Sequence, residues 1–236
     1  MSERTLNSLS LYVVRHGECE HNLVGRAAAQ DDSPLTERGR AQARANGKLL
    51  RSTVDSFANL DFYASPLHRA CVTMEIILET IGLPQNKYRA DRRLMEGDLG
   101  DHTWLKAEEM LTEPGFLADP WNYVRPDGES QAMVHARVGR FLESLARDSV
   151  IVAHALSVSM IRAHYLNLSP EEMAGYHMPN GGIMRLSEGR ETHNGIELNA
   201  EGKAASWLRT WWLRSWPVET RLTMTPAAEE MISAGI

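Results

Sequence analysis

Two short apolar runs constrain this chain more than any other feature. Leu9–Val14 (LSLYVV) is stopped abruptly by Arg15, and Ser149–Ala153 (SVIVA) by His154. Neither run alternates strictly between polar and apolar residues, so neither suits a sheet with one wet face. A near-continuous apolar strand belongs in a sheet covered on both sides. Leu60–Ala64 (LDFYA) is a third strand of this kind. Helical patterns lie between the strands. Thr36 can cap a helix on which Ala41, Ala45 and Leu49 recur every four residues. Ser65-Pro66 reads as an N-cap and a first-turn proline for a helix carrying Leu67, Cys71, Met74, Leu78 and Ile81, with Gly82 ending it. Val134, Val138, Phe141, Leu142 and Leu145 mark another helix, and one more follows His154 to about Leu166. This alternation implies an α/β fold, a three-layer αβα sandwich around a mostly parallel sheet.

At 236 residues one core suffices, so 1–236 reads as a single domain. The stretch 112–130 (TEPGFLADPWNYVRPDGES) is rich in Pro, Gly and aromatics, and residues 97–130 are expected to form a small cap over the site. Pro126-Asp127-Gly128 is the candidate hinge joining that excursion to the core. Residues 202–236 form an extension holding four of the six tryptophans. Its aromatic face reads as a satellite core or as the interface of a homodimer, and a membrane-surface helix would combine the same features. Lys+Arg of 25 against Asp+Glu of 31 leaves a net charge of −6, which excludes a large nucleic-acid footprint but permits a small cationic pocket. Two cysteines cannot build a disulfide framework. No apolar run approaches the ~18 residues of a spanning helix, and the N-terminus lacks a secretory pattern, so a soluble, cytoplasmic protein with no membrane partner is expected.

In sheets of this class ligands bind beyond the carboxyl ends of the strands. There the sequence places Arg15-His16, His154, and Ser65 with Arg69 in the first helical turn. A helix N-terminus and an arginine fork both favour an oxyanion. Singly, each residue reads as an ordinary surface charge or a bonded histidine; together, two arginines and two histidines can converge on one anionic group.

Here the residues resemble a known family. Arg15-His16-Gly17-Glu18 with Asn22 resembles the RHGE-x-x-x-N signature of the histidine phosphatase superfamily, the phosphoglycerate-mutase-like proteins. Pro34-Leu35-Thr36 with Gly39, Gln42 and Ala43, then Ser65-Pro66-Leu67 with Arg69, Ala70 and Thr73, are similar to its next two segments. Leu94-Met95-Glu96 with Gly100, Gly128-Glu129-Ser130, His154 and Pro179-Asn180 follow in family order. Two departures stand out: Ala155 occupies a position usually glycine, and Gly100-Asp101-His102-Thr103-Trp104 replaces G-x-x-E-G.

The resemblance implies that His16 is a nucleophile forming a phosphohistidine. Arg15, Arg69 and His154 would hold the phosphate oxygens, and Asn22 would donate to the same group. Glu96 would be the acid that protonates the leaving oxygen and then activates water, with Glu18 and, more weakly, Asp98 as alternatives. Glu18 and Ala155 would line the substrate pocket. No metal or other cofactor is implied, because guanidinium and imidazole groups supply the positive charge. Cys19 stands where Ser or Thr is common, and reads either as a reactive thiol or as an inert small residue. His21, His68, His102, His135, His164, His177 and His193 share no metal-ligand spacing, although His21 and His102 lie close in sequence to the site. Arg92-Arg93 could take a second anionic group or face solvent. Tyr123, Arg125 and Lys106 are the cap residues considered for substrate contact.

The leading expectation is a phosphomonoesterase acting on a small phosphorylated substrate. The alternatives are a phosphoglycerate mutase using the same intermediate, and a catalytically weak protein that binds a phosphorylated ligand.

Overall fold

In a computed structural model of the chain, the residues described are 5–106, 109, 113–173, 176 and 178–194; the Trp-rich stretch and His177 lie outside them. The elements in chain order are β1 (Leu11–Arg15), α1 (Glu20–Leu23), α2 (Glu37–Thr53), β2 (Asp61–Ala64), α3 (His68–Ile81), β3 (Arg89–Ala90), α4 (Pro114–Ala118), α5 (Gln131–Glu143), β4 (Ser149–Ala153), α6 (Ala155–Leu166), α7 (Pro170–Met173), β5 (Ile183–Ser187) and β6 (Arg190–Asn194). They build a six-stranded sheet in the order β3-β2-β4-β1-β5-β6. Neighbours from β3 to β1 run parallel, while β5 is antiparallel to β1 and to β6.

Every residue of β1 and β4 is buried, as the apolar runs require. Alternate side chains serve opposite layers. Leu11, Val13, Ile151 and Ala153 pack with Val134, Val138 and Phe141 of α5 and with Val158 and Ile161 of α6. Tyr12, Val14, Val150 and Val152 pack with Leu50 of α2 and with Met74, Ile77 and Leu78 of α3. Each fully buried aliphatic chain contributes about 1.5–3 kcal/mol, which is why these strands carry no polar face.

Three local expectations need correction. In α2 the inward face is Gly39, Gln42, Ala43, Asn46, Gly47 and Leu50, whereas Ala41 and Ala45 are exposed. The polar members turn inward because they bond main chain: Gln42 Oε1 accepts the Glu18 N–H at 2.9 Å, and Asn46 Oδ1 accepts the Gly182 N–H at 2.9 Å. Helix α3 starts at His68, two residues later than the Ser65 cap implied, because Ser65 Oγ accepts the N–H of Leu67 while the chain is still extended. Pro126-Asp127-Gly128 is a pinned turn and not a hinge. The Gly128 N–H bonds the Arg125 carbonyl at 2.9 Å, the Asp101 N–H bonds the Pro126 carbonyl at 3.2 Å, and the Glu129 N–H bonds the Asp98 carbonyl at 2.8 Å. Gly100 permits this approach, since a Cβ there would lie 1.9 Å from the Pro126 oxygen. The β5–β6 hairpin was not anticipated; Glu188 and Gly189 make its turn with φ of 54° and 71°, the left-handed pair a tight hairpin favours. No helix among the described residues is long and apolar enough to cross a membrane.

Candidate active site

Parallel pairing of β1 and β4 sets Arg15 opposite Ala153, so the residues after them, His16 and His154, emerge side by side. Their ring centroids are 5.1 Å apart, and the His16 N–H bonds the Ala153 carbonyl at 3.0 Å. The next turn can fold tightly because two glycines meet: a Cβ on Gly17 would lie 2.4 Å from the Gly39 oxygen, and one on Gly39 would lie 2.1 Å from the Glu18 oxygen. Thr73 Oγ1, reaching from α3, accepts the Gly17 N–H at 3.1 Å. Asn180 closes the loop from the other side, its Nδ2 donating to the His16 carbonyl at 2.7 Å.

His16 Nδ1 lies 2.8 Å from the Gly17 carbonyl oxygen. A carbonyl can only accept, so the ring proton sits on Nδ1 and the lone pair on Nε2. Burial, and then the charges of Arg69 and Arg15, hold the His16 pKa well below 6.5. His154 is lowered by the same causes. Arg69, 1% exposed, is braced from behind: Nη1 donates to the Asp31 carbonyl and Nη2 to the Ala29 carbonyl, both at 2.6 Å. Arg15 Nη1 donates to the Met178 carbonyl at 3.0 Å. Burial lowers the Arg15 pKa to about 10 and that of Arg69 in the same direction, yet both guanidiniums stay charged at neutral pH.

His21 joins this group: its ring centre is 6.0 Å from that of His16, and burial followed by the two arginines brings its pKa down to about 3. Sequence reading noted only its closeness to the motif; what seats it is the short helix α1, which turns His21 inward. Among the described residues, Arg69 Nε, His21 Nδ1 and both ring nitrogens of His154 are buried without a hydrogen-bond partner. Leaving such atoms unsatisfied costs about 1–3 kcal/mol each, so their clustering marks a place built for a hydrogen-bonding ligand. Beside two guanidiniums, an oxyanion is the ligand that such a place can hold.

Of the three acids considered, only Glu96 is set against the cluster, where both Arg15 and Arg69 feel its charge. Its Oε1 accepts the N–H of Gly97 at 3.0 Å and that of Leu156, at the start of α6, at 3.1 Å. The main chain around it is clamped by Arg137 of α5. Nη1 donates to the carbonyls of Arg93 and Met95, both at 2.8 Å, and Nη2 to that of Glu96 at 2.9 Å. Nε and Nη2 grip the Glu129 carboxylate at 2.9 Å, so all five guanidinium N–H groups are engaged. Nothing in the sequence singled out Arg137. Glu18 is occupied elsewhere, accepting from Thr36 Oγ1 at 2.8 Å and Arg38 at 3.3 Å. Asp98 Oδ1 accepts the Gly100 N–H at 2.9 Å as a turn residue.

Asn22 is half-buried and caps α1, its Oδ1 taking the Cys19 N–H at 3.0 Å; its amide N–H groups are what it can offer a ligand. Ala155 opens α6 next to Leu156 and is half-buried. Cys19 is buried and its pKa is pushed up to about 12 by desolvation, so it is an unreactive thiol. Arg93 is held by Asp91 at 2.6 Å, and Arg92 is exposed. Lys106 is exposed, and Tyr123 donates to Glu113 at 3.4 Å. Arg125, by contrast, is buried. Among the described residues no group of three or more His, Cys, Asp or Glu is arranged to hold a metal ion.

The sequence profile of the histidine phosphatase superfamily (branch 1) matches residues 11–201. A 2,3-bisphosphoglycerate-dependent phosphoglycerate mutase of Brucella melitensis is 31% identical over 189 residues, spanning 74% of this chain and 89% of the relative. Among solved structures, a mycobacterial glucosyl-3-phosphoglycerate phosphatase in complex with VO3 superposes with a TM-score of 0.65 at 28% identity, covering 82% of this chain and all of the other. A second structure, titled mycobacterial hydrolase 1, gives a TM-score of 0.63 at 29% identity over 75% of this chain and 90% of its own.

Proposed function

Because the chain belongs to the histidine phosphatase superfamily, we propose that it is a metal-independent phosphomonoesterase that hydrolyses a small phosphate ester through a phosphohistidine on His16. One observation carries this reading: a buried, neutral His16 with its proton tied to the Gly17 carbonyl, among charged Arg15 and Arg69. Nε2 attacks phosphorus in line, a P–N bond forms as the ester P–O bond breaks, and Glu96 protonates the departing oxygen. Glu96 then takes a proton from water, which displaces phosphate from His16. Arg15, Arg69, His154, His21 and Asn22 surround the equatorial oxygens, where charge must be held as the bonds rearrange. Of residues 97–130, the described ones, 97–106, 109 and 113–130, act as a cap that sets specificity.

The 31% identity to a phosphoglycerate mutase favours a second reading, in which the phosphoryl group returns to substrate and not to water. One experiment separates the two. Phosphate release from an aryl phosphate and a panel of alkyl phosphates is measured with chelator present, in the wild type and in His16→Ala, alongside conversion of 3- to 2-phosphoglycerate. Hydrolysis that survives chelator and falls about 10³-fold or more in His16→Ala is expected. Equal hydrolysis by both proteins would remove His16 from the reaction, and isomerisation outpacing hydrolysis would make the protein a mutase.

A further inference from the structure

Trp104 takes a backbone that tryptophan ordinarily avoids. Its φ is 68°, in the left-handed region, and it stands where the G-x-x-E-G pattern ends in glycine. Side chains other than glycine adopt that conformation at a cost, so its surroundings must hold it there. Packing alone does not, since Trp104 is 37% exposed. What holds it is a set of hydrogen bonds. Its N–H donates to the Ala27 carbonyl at 2.7 Å, its carbonyl accepts from Arg26 Nη1 at 2.6 Å, and its indole Nε1 donates to Asp31 Oδ2 at 2.6 Å. The Ala27 N–H returns a bond to the Leu105 carbonyl at 3.1 Å, and Arg26 pairs with Lys106 in an antiparallel bridge. Residues 104–106 of the cap are thereby clasped to the loop 26–31.

That loop is what braces the site. The carbonyls of Ala29 and Asp31 hold the two Nη atoms of Arg69, which fixes the plane of its fork, and Gln30 Nε2 donates to the Glu96 carbonyl at 3.1 Å. Neither helix nor strand stiffens residues 27–34, and Ala29 is itself left-handed with φ of 47°. At the far end the His68 N–H bonds Asp32 Oδ1 at 3.0 Å. Asp31 faces two ways, its carboxylate toward Trp104 and its carbonyl toward Arg69. A short bond to an ionised carboxylate is among the stronger hydrogen bonds, and here it fastens the residue on which the guanidinium rests.

We propose that Trp104 is a positioning residue, which by fixing Asp31 aims the Arg69 guanidinium at the bound oxyanion and so couples the cap to the anion-binding cluster. This rests on the reading of the cluster as a phosphatase centre, and two readouts keep the two apart: kcat/KM for an aryl phosphate, and the affinity for inorganic phosphate by calorimetry. Trp104→Phe keeps a ring and removes the N–H. Both values are expected to fall about five- to tenfold with the thermal midpoint unchanged. Asp31→Ala shows the same loss, the double variant loses no more than either single one, and Asp31→Asn, which retains an acceptor, restores most of it. In an Arg69→Lys background, where the braced fork is gone, Trp104→Phe costs less than about twofold in kcat/KM. Should Trp104→Phe fail to fold, Trp104→Gly, which suits the left-handed backbone, and Asp31→Ala carry the same expectation. Losses that add in the double variant, persist in full in Arg69→Lys or follow a lowered midpoint overturn the assignment and leave Trp104 a structural residue. A phosphate affinity unchanged within about twofold does the same. If the wild type hydrolyses no ester yet binds phosphate, the phosphatase reading fails while the affinities still judge Trp104. A wild type that binds no phosphate overturns both.

Discussion

His16 gives up its affinity for a proton because it is buried and because Arg69 and Arg15 stand beside it. A histidine in water is half protonated near pH 6.5 and would waste much of its nucleophile as imidazolium below that point. Here the two arginines proposed to hold the phosphoryl oxygens also keep the lone pair available. The ring ¹⁵N–¹H spectrum at pH 6 should therefore show His16 as a neutral ring with its proton on Nδ1; an imidazolium signature would contradict the Gly17 tautomer. At this scale the motif was informative. Arg15, His16, Arg69 and His154 were all named from the sequence, and the fold brings them together. His21 was not, because a histidine in a four-residue helix carries no sign of which way it turns. Cys19 shows the converse: its position suggested reactivity, and only its burial shows a neutral thiol.

Elements decide how firmly the acid is held. Glu96 lies on an irregular stretch between a single 3-10 turn, Arg92–Leu94, and another, Gly100–His102. No ladder of hydrogen bonds fixes it, and Arg137 of α5 supplies the missing constraint by binding three carbonyls of this stretch, those of Arg93, Met95 and Glu96. If Arg137 acts by positioning the acid, its loss should matter most where protonation of the leaving group matters most. Arg137→Ala should lower kcat about 10–10²-fold on an alkyl phosphate and much less on an aryl phosphate whose leaving group departs unprotonated, with Arg137→Lys intermediate. An equal decrease on both substrates would show a general loss of structure. The helix-face error in α2 belongs here too. Period-four spacing located the helix correctly, but alanines on one face and a Gly-Gln-Ala-Asn-Gly set on the next fit the pattern equally well. Close approach of α3, where a Cβ on Gly47 would meet Thr80 Cβ at 2.5 Å, selects the second.

For the whole molecule, the buried histidines make folding depend on pH. His16 and His154 are lowered well below 6.5, His21 to about 3 and His135 to about 4, in each case first by burial. The unfolded chain takes up protons at these positions before the folded one does. Stability from these groups is complete above pH 6.5 and is lost as pH falls from 6.5 toward 3, at up to about 1.4 kcal/mol per pH unit for a well-buried group such as His21. Glu191, held down to about 2 by bonds to His193 and Arg162 that outweigh its desolvation, adds a further loss below pH 4.5. Thermal unfolding followed from pH 7.5 to 4 should show the midpoint steady at first and then falling below about 6.5. A flat profile would mean that these histidines are accessible to water.

The sequence alone determined the layers and the place of the charged motif: apolar runs that tolerate no wet face demand a covered sheet, and a strand that ends in Arg-His places those residues at its carboxyl edge. Such features depend on neighbours along the chain, and a local pattern records them. Tertiary structure decided everything that depends on residues far apart in sequence. It set Glu96 against the arginines while Glu18 and Asp98 bond elsewhere, seated His21 in the cluster and clamped the main chain of Glu96 with Arg137. Each of these outcomes turns on burial and on which distant charge lies within a few ångströms, and spacing along the chain does not encode that distance.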